Sequence, residues 1–250
     1  MSDLLAELTT EDVRARLARG PVALILPVGS VEPHGPHLPL ATDTMISERA
    51  AAAAVELLRS RGVEALVAPA IPYGVTDFAK GFAGAISLPG SAVTAFVRAA
   101  IDAALDAGFA HVCVVNNHLE PAQDAAVRGA IEGLGARASV ACPLTRRWAR
   151  TLSDEFKSGA CHAGEYETAL VLAARPDSVR GDVAAALGAV PVSLSEGIKA
   201  GKRSFLEMGM TAAYAGAPAR ATRAEGERLY ALLAEMIATE VLDATRPTGG

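Results

Sequence analysis

Residues suited to metal ligation crowd a short stretch near the N-terminus of this chain. Glu32, His34, His37 and Asp43 place two carboxylates and two imidazoles within a dozen residues. Carboxylate oxygens and imidazole nitrogens ligate zinc, manganese and iron, and one carboxylate can bridge two ions. The intervening prolines and glycine hold the backbone in a fixed loop. Taken alone, the stretch fits a divalent metal site and a polar loop with capping histidines about equally well.

A second cluster favours the metal site. His118 and Glu120 follow an apolar run that ends at Val115, just as the first cluster follows the run Val22–Val28. In open parallel sheets, ligands bind at the carboxyl ends of the strands, on the loops that lead into helices. Both clusters therefore fall on the same edge of the predicted sheet, and together they predict a metal site there.

A third cluster contains Cys161, His162, Glu165 and Glu167 at the start of a predicted helix. The two glutamates could simply serve the helix N-terminus, where the N–H groups carry partial positive charge. In a functional interpretation, His162 faces the metals and carries a proton, because imidazole titrates near neutrality. A Cys161–His162 nucleophile pair is a third option, although neighbours in sequence rarely point at each other.

The elements that must position these clusters alternate between apolar runs and amphipathic segments. This alternation predicts an α/β fold, with a mainly parallel sheet covered by helices on both faces. The predicted strands are Val22–Val28, Val63–Ala70, Ala85–Leu88, His111–Val115 and Ala138–Cys142. The predicted helices are Met45–Arg59, Ser91–Ala107, Pro121–Gly133, Glu165–Ala174 and Arg223–Val241.

Length and composition exclude several classes of protein. A chain of 250 residues with 51% apolar content predicts a single domain over residues 1–250. A net charge of −5 argues against partners such as nucleic acid or anionic membranes. No signal segment and no apolar stretch of about 20 residues is found, which predicts a cytoplasmic protein. Three cysteines without a CxxC pair argue against a disulfide framework. The segment Gly29–Glu32 lacks the G-x-G-x-x-G turn of a dinucleotide-binding oxidoreductase.

The glycine-rich segment from Pro191 to Thr222 is too long for a simple connection and predicts a lid or a subunit contact. Its large apolar residues would be costly to leave exposed together. We expect them to pack against another subunit near the mouth of the active site in a homo-oligomer. These residues are Phe205, Leu206, Met208 and Met210.

Three motifs give the chain a resemblance to a known family. Residues 27–39 read PVGSVEPHGPHLP and are followed by Thr42-Asp43, residues 116–120 read NNHLE, and residues 162–168 read HAGEYET. These motifs resemble those of the creatininase family, and the likeness extends to residues 84–88 and to Gly216 and Gly226. The resemblance thus covers nearly the whole chain, and its first motif is long and specific.

The resemblance implies a three-layer α/β/α fold, a binuclear metal-dependent amidohydrolase and assembly into homo-oligomers, often hexamers. It implies two divalent ions per chain, with zinc expected first and manganese or iron as alternatives. It also implies that Asp43 bridges the two ions. The ligands it implies are Glu32, His34, Asp43, His118 and Glu120.

The function expected is hydrolysis of a non-standard amide C–N bond in a small molecule: a cyclic amide, a formamide or a short modified peptide. A metal-bridging hydroxide would attack the carbonyl carbon, and His162 would protonate the leaving amine. Glu167 or Glu165 would orient His162 or relay the proton, and His37 would support the loop or a ligand.

Two departures from the family pattern argue against creatinine as the substrate. Members that open creatinine have aromatic residues where this chain has Leu119 and Ser158. A creatinine amidohydrolase proper nevertheless remains an alternative. The other alternative is a non-catalytic, metal-binding family member that serves as a partner subunit.

Overall fold

The computed structural model describes residues 2–246, and its centre is a parallel sheet in the order β2-β1-β3-β4. The strands are β1 Val22–Val28, β2 Glu64–Val67, β3 His111–Asn116 and β4 Ala138–Ala141. All seven residues of β1 are buried, because this strand has a neighbour on each side and helices on both faces. The predicted α/β fold with a parallel sheet is confirmed.

Ten α-helices are found among residues 2–246, and the five predicted helices are among them. In chain order they are α1 Thr10–Leu17, α2 Thr42–Ser60, α3 Gly90–Asp106, α4 Pro121–Ala130, α5 Arg146–Ala149, α6 Asp154–Ser158, α7 Glu165–Ala174, α8 Gly181–Ala186, α9 Leu194–Lys199 and α10 Arg223–Thr245.

The helices form two layers, one on each face of the sheet. Alternate residues of a strand face opposite sides, so Ile25 packs in the core formed with α2, α7 and α10. Its neighbour Leu24 packs in the core formed with α3 and α4, to which α1 adds partly buried residues. The three-layer α/β/α architecture follows from these two cores.

The register of the sheet places the predicted clusters side by side. Val28 at the end of β1 pairs with Asn116 at the end of β3. The loops that begin after these two residues carry the first and second clusters. The sheet therefore fixes the distance between the clusters at its carboxyl edge.

Two strand predictions need correction. The strand predicted at Val63–Ala70 is shorter and spans Glu64–Val67. The segment Ala85–Leu88 is not a strand, because the Ile86 N–H donates to Val31 and the Leu88 N–H donates to Gly74. Within the described part of the chain, no helix has both the length and the apolar character needed to cross a bilayer.

The glycine-rich segment also differs from its prediction. Phe205, Met208 and Met210 are buried within this chain, in a cluster with Ala79 and Ala215. They therefore need no second subunit to cover them, and the expectation that they pack against one is corrected. Of the four residues only Leu206 is exposed, at 48%.

Candidate metal centre

Loops after two neighbouring strands and the first turn of one helix carry the candidate ligands. Glu32 and His34 lie on the loop after β1, and Asp43 lies in the first turn of α2. His118 and Glu120 follow β3, and Glu120 immediately precedes α4. All five side chains are buried, so the two clusters form one site.

The third cluster joins them. His162 precedes α7 and Glu167 lies in its first turn, and both are buried. Ligand atoms of these seven residues form overlapping groups in which every atom lies within 4.8 Å of the others. The groups are Glu32–His34–His162, Glu32–His118–Glu120 and His34–Asp43–Glu167.

Backbone carbonyls orient two of the imidazoles toward the carboxylates. His34 donates its Nδ1–H to the carbonyl of Glu32 at 3.1 Å, and His118 donates its Nε2–H to the carbonyl of Val75 at 2.6 Å. A carbonyl can only accept, so in a neutral ring the other nitrogen carries a lone pair. That nitrogen of His34 is buried without a hydrogen-bond partner, 3.2 Å from Asp43 and 3.4 Å from Glu167. This is the arrangement of metal-binding histidines, whose second nitrogen is held by a backbone acceptor.

A lone pair facing a carboxylate is repulsive unless a proton or a cation lies between them. Burial alone would lower the pKa of His34, but Asp43 and Glu167 outweigh it and raise that pKa to about 10. Burial alone would also lower the pKa of His118, but Glu32 and Asp43 outweigh it and raise that pKa well above its usual range. Both rings would therefore be protonated without metal, and a divalent cation would displace those protons. The donor set fits metal binding.

The charge of the site fits two such ions. The carboxylates of Glu32, Asp43, Glu120 and Glu167 are all buried here. No lysine or arginine is among the described residues that line the cavity beside them. Buried charges need partners, and two divalent cations would balance four carboxylates.

Asp43 lies between the two halves of the site. Its Oδ1 is 3.2 Å from Nε2 of His34, and its Oδ2 is 3.1 Å from Nδ1 of His118. Ser30 donates its hydroxyl hydrogen to Oδ2 at 2.7 Å. Burial would raise the pKa of Asp43, yet the two imidazoles hold it well below its usual range. One carboxylate thus contacts both imidazoles, as a bridging ligand requires.

A loop that the sequence analysis did not single out supports two of the ligands. Thr76 donates its hydroxyl hydrogen to Oε2 of Glu32. The N–H groups of Asp77 and Phe78 donate to the two carboxylate oxygens of Glu120 at 3.0 and 3.2 Å. Burial raises the pKa of Glu120 to about 7, although the His118 charge and these N–H groups oppose it.

His162 is oriented in the same way as the other two imidazoles. Its Nε2–H donates to the carbonyl of Pro33 at 2.9 Å, and its Nδ1 lies 3.8 Å from Oε1 of Glu32. Its ring lies beside those of His34 and Phe205, with centroid distances of 4.4 and 4.3 Å. Burial, together with the charge on His34, lowers the pKa of His162 to about 4. The ring is therefore neutral at pH 7, with a lone pair on Nδ1.

The two glutamates of the third cluster lie in different places. Glu167 accepts from the N–H of Ala163 at 2.6 Å and faces His34, and burial raises its pKa to about 8. Glu165 is outside the three donor groups and lines a separate cavity together with Arg228. Of the two glutamates named as partners of His162, the structure brings only Glu167 to the site.

Two further residues from the sequence analysis lie beside the site. Cys161 lines the cavity, but burial and the nearby Glu167 raise the pKa of its thiol to about 12. A protonated thiol is a poor nucleophile, which argues against the Cys161–His162 pair. His37 is 2.9 Å from the hydroxyl of Thr168 through Nε2, and so joins the first loop to α7.

The cavity over the donor groups has an apolar wall. Its apolar lining includes Phe78, Leu119, Leu194, Ile198 and Phe205. The last three belong to the glycine-rich segment, which therefore covers the site as a lid would. Sequence reasoning missed Phe78, and it assigned Phe205 to a subunit contact.

Leu119 and Ser158 stand where family members that open creatinine have aromatic residues, and of the two only Leu119 lines the cavity over the donor groups. Trp148, the one tryptophan of the sequence, supplies no aromatic wall there either. Ser158 is exposed and lines the separate cavity that contains Glu165. The indole N–H of Trp148 donates to Glu240 at 2.9 Å, and its ring packs beside the α2/α7/α10 core. Neither residue lines the cavity over the donor groups.

Comparisons with known proteins bear on the family and the fold of this chain. The creatininase family model, described as creatinine amidohydrolase, matches residues 6–241. The mycofactocin precursor peptide peptidase of Mycobacterium tuberculosis H37Rv is 33% identical over 228 residues, covering 85% of this chain and 82% of that protein. The creatinine amidohydrolase of Pseudomonas putida is 31% identical over 124 residues, covering 48% of this chain and 46% of that protein. A solved structure described as "Creatininase Mn" has a TM-score of 0.74 at 23% identity, covering 99% of this chain and 100% of that one.

Proposed function

The chain belongs to the creatininase family and is a hydrolase of carbon–nitrogen bonds, and from that premise we propose that it works with two divalent metal ions. One observation carries the proposal: Asp43 contacts His34 through one oxygen and His118 through the other. Both of these imidazoles also donate to backbone carbonyls, which leaves their remaining nitrogens for metal.

We assign one ion to Glu32, His118 and Glu120, and the other to His34 and Glu167. Asp43 would contribute an oxygen to each ion. The assignment follows two of the three donor groups and leaves His162, a member of the third, for proton transfer. It makes Glu167 a ligand, whereas the sequence had suggested that Glu167 orients His162 or relays the proton. Zinc and manganese both accept these ligands. Bound there, divalent ions polarise a carbonyl oxygen and lower the pKa of water.

His162 is the proton carrier in this proposal. Its Nε2–H is held by the carbonyl of Pro33, so Nδ1 is free to accept a proton from the attacking water. The resulting imidazolium can then protonate the amine nitrogen as it leaves, because an amide anion is a very poor leaving group. Because its low pKa keeps the ring of His162 unprotonated at pH 7, the ring can accept a proton first and donate it afterwards.

A short modified peptide is the substrate class that we favour. The peptidase from M. tuberculosis matches this chain over 228 residues, whereas the creatinine amidohydrolase from P. putida matches over 124. The apolar wall that includes Leu119 and Phe205 suits apolar groups beside the scissile amide. A cytoplasmic location and a homo-oligomeric assembly, up to a hexamer, belong to the same proposal and rest on the sequence analysis.

A substrate panel tests this function. Protein reconstituted with Zn²⁺ or Mn²⁺ should hydrolyse short peptides with modified termini faster than it hydrolyses creatinine or N-formyl amines. Asp43→Asn, treated in the same way, is the matched inactive control. Faster turnover of creatinine would overturn the substrate assignment. Absence of all activity with two ions bound would instead favour the non-catalytic partner subunit.

A further inference from the structure

The turn that carries His162 and Glu167 has a strained backbone. Ala163 between them has a φ of 51°, in the left-handed region that non-glycine residues rarely occupy. Its N–H donates to Glu167, and the N–H of Ala215 donates to the carbonyl of His162 at 2.8 Å. A strained turn persists only where surrounding contacts determine its conformation, so a support outside the donor groups is needed.

Glu155 in α6 makes such contacts. Its Oε1 accepts from the N–H of Tyr166 at 2.9 Å, and its Oε2 accepts from the N–H of Ala217 at 2.7 Å. Burial raises the pKa of Glu155, although these backbone donors favour the ionised form. One carboxylate therefore ties the start of α7 to the segment that holds the carbonyl of His162.

Glycines in the two segments that Glu155 joins leave room for its carboxylate. A Cβ on Gly164 would lie 2.4 Å from Oε1 of Glu155, and a Cβ on Gly216 would lie 2.2 Å from Oε2. Real Cβ atoms do not approach oxygen so closely, and Gly216 also has a φ of +88°. Both glycines are therefore needed where the two segments close around Glu155.

We propose that Glu155 is a positioning residue that fixes the His162–Glu167 turn against the metal centre. It is not among the residues that line the cavity over the donor groups, so it acts through the turn and not on the substrate. The proposal rests on the proposed function in one respect, since it assumes that Glu167 ligates metal. A purely structural residue would lower overall stability and leave metal affinity unchanged.

The test compares Glu155→Gln and Glu155→Ala with the wild-type protein. The matched control is Asp154→Asn, a neighbouring acid in the same helix with a fully exposed side chain. Zn²⁺ affinity is measured by competition with a chromophoric chelator, and hydrogen exchange is followed in peptides that span residues 162–167. Thermal unfolding of each variant reports overall stability.

We expect Glu155→Gln to bind one of the two Zn²⁺ ions roughly 10–100-fold more weakly. Loss of a residue that orients a metal ligand typically weakens binding by this factor. The turn should also exchange faster, and Asp154→Asn should match the wild type in both measurements. If Glu155→Ala does not fold, Glu155→Gln decides, because glutamine keeps the shape and one acceptor oxygen.

Wild-type Zn²⁺ affinity in Glu155→Gln, with or without a lower melting temperature, would overturn the proposal. If the wild-type protein itself binds no Zn²⁺, the proposed function fails, and the exchange measurement still tests Glu155. In that event, faster exchange confined to the turn supports a positioning role, and unchanged exchange refutes it.

Discussion

Replacing Asp43 with asparagine should remove most of the stabilisation that metal gives this protein. Asparagine keeps the shape of the side chain but loses the charge that faces His34 and His118 at 3.2 and 3.1 Å. Because one carboxylate contacts both imidazoles, both ions should bind more weakly. A variant of a ligand that serves a single ion would lose only one of them.

The size of the effect follows from mass action. An ion present at 100 times its Kd stabilises the folded state by ~2.7 kcal/mol, so two ions contribute ~5 kcal/mol. A protein of this size gains about 2–4 °C in Tm for each kcal/mol of added stability, which gives a metal-induced rise in Tm of about 10–20 °C. Asp43→Asn should show only a small fraction of that rise.

Calorimetry with added Zn²⁺ and with chelator measures the metal-induced rise in Tm for each protein separately. Because each variant is compared with its own metal-free form, any effect of the substitution on that form cancels. Glu56→Gln is the matched control, because Glu56 is an exposed acid on the same helix, α2. A full rise in Asp43→Asn would refute its role as a ligand. A rise of half the wild-type size would show that Asp43 serves one ion and does not bridge.

Four further predictions concern His162, His34 and a glycine of α10. His162→Ala should keep both ions yet lose turnover by ~10²–10⁴-fold; loss of metal in elemental analysis of the same sample would make His162 a ligand. Zn²⁺ affinity should rise with pH, because binding must displace the proton that His34 holds with a pKa of about 10; titration calorimetry in two buffers should detect proton release, and a pH-independent affinity would contradict this. In the metal-free protein, protonated His34 should stabilise the folded state. This contribution is fully present below about pH 6.5, the pKa of the unfolded-state imidazole, and is lost as the pH rises through the folded-state pKa of about 10. A free energy of unfolding that grew over this pH range would contradict the prediction. Gly226→Ala should lower the free energy of unfolding by about 1–3 kcal/mol, since a Cβ there would lie 1.9 Å from the carbonyl oxygen of Ala169 in α7. The control is Gly181→Ala, where a Cβ would meet open space and should cost nothing in the same denaturant titration.

The sequence predicted those elements whose burial is visible in their composition. The strand Val22–Val28 was predicted to the residue, because a strand covered on both faces is apolar throughout. The segment Ala85–Leu88 was wrongly predicted as a strand, because its N–H groups bond to loop carbonyls that no local pattern reveals. Composition shows burial but does not identify the hydrogen-bond partner.

The site was predictable where side-chain identity carries the chemistry, as at Asp43 and His118. The supports from Asp77 and Phe78 were not predictable, since backbone N–H groups make those contacts. The burial of Phe205 was assigned to another subunit, because an apolar residue in a long loop looks the same whichever chain covers it. Only the fold shows that it covers His162.

Metal stoichiometry tests the central claim most directly. Wild-type protein purified without chelator should approach two divalent ions per chain by elemental analysis. Removal of these ions should abolish hydrolysis, and their return should restore it. A stoichiometry of zero or one with full activity would contradict the binuclear site.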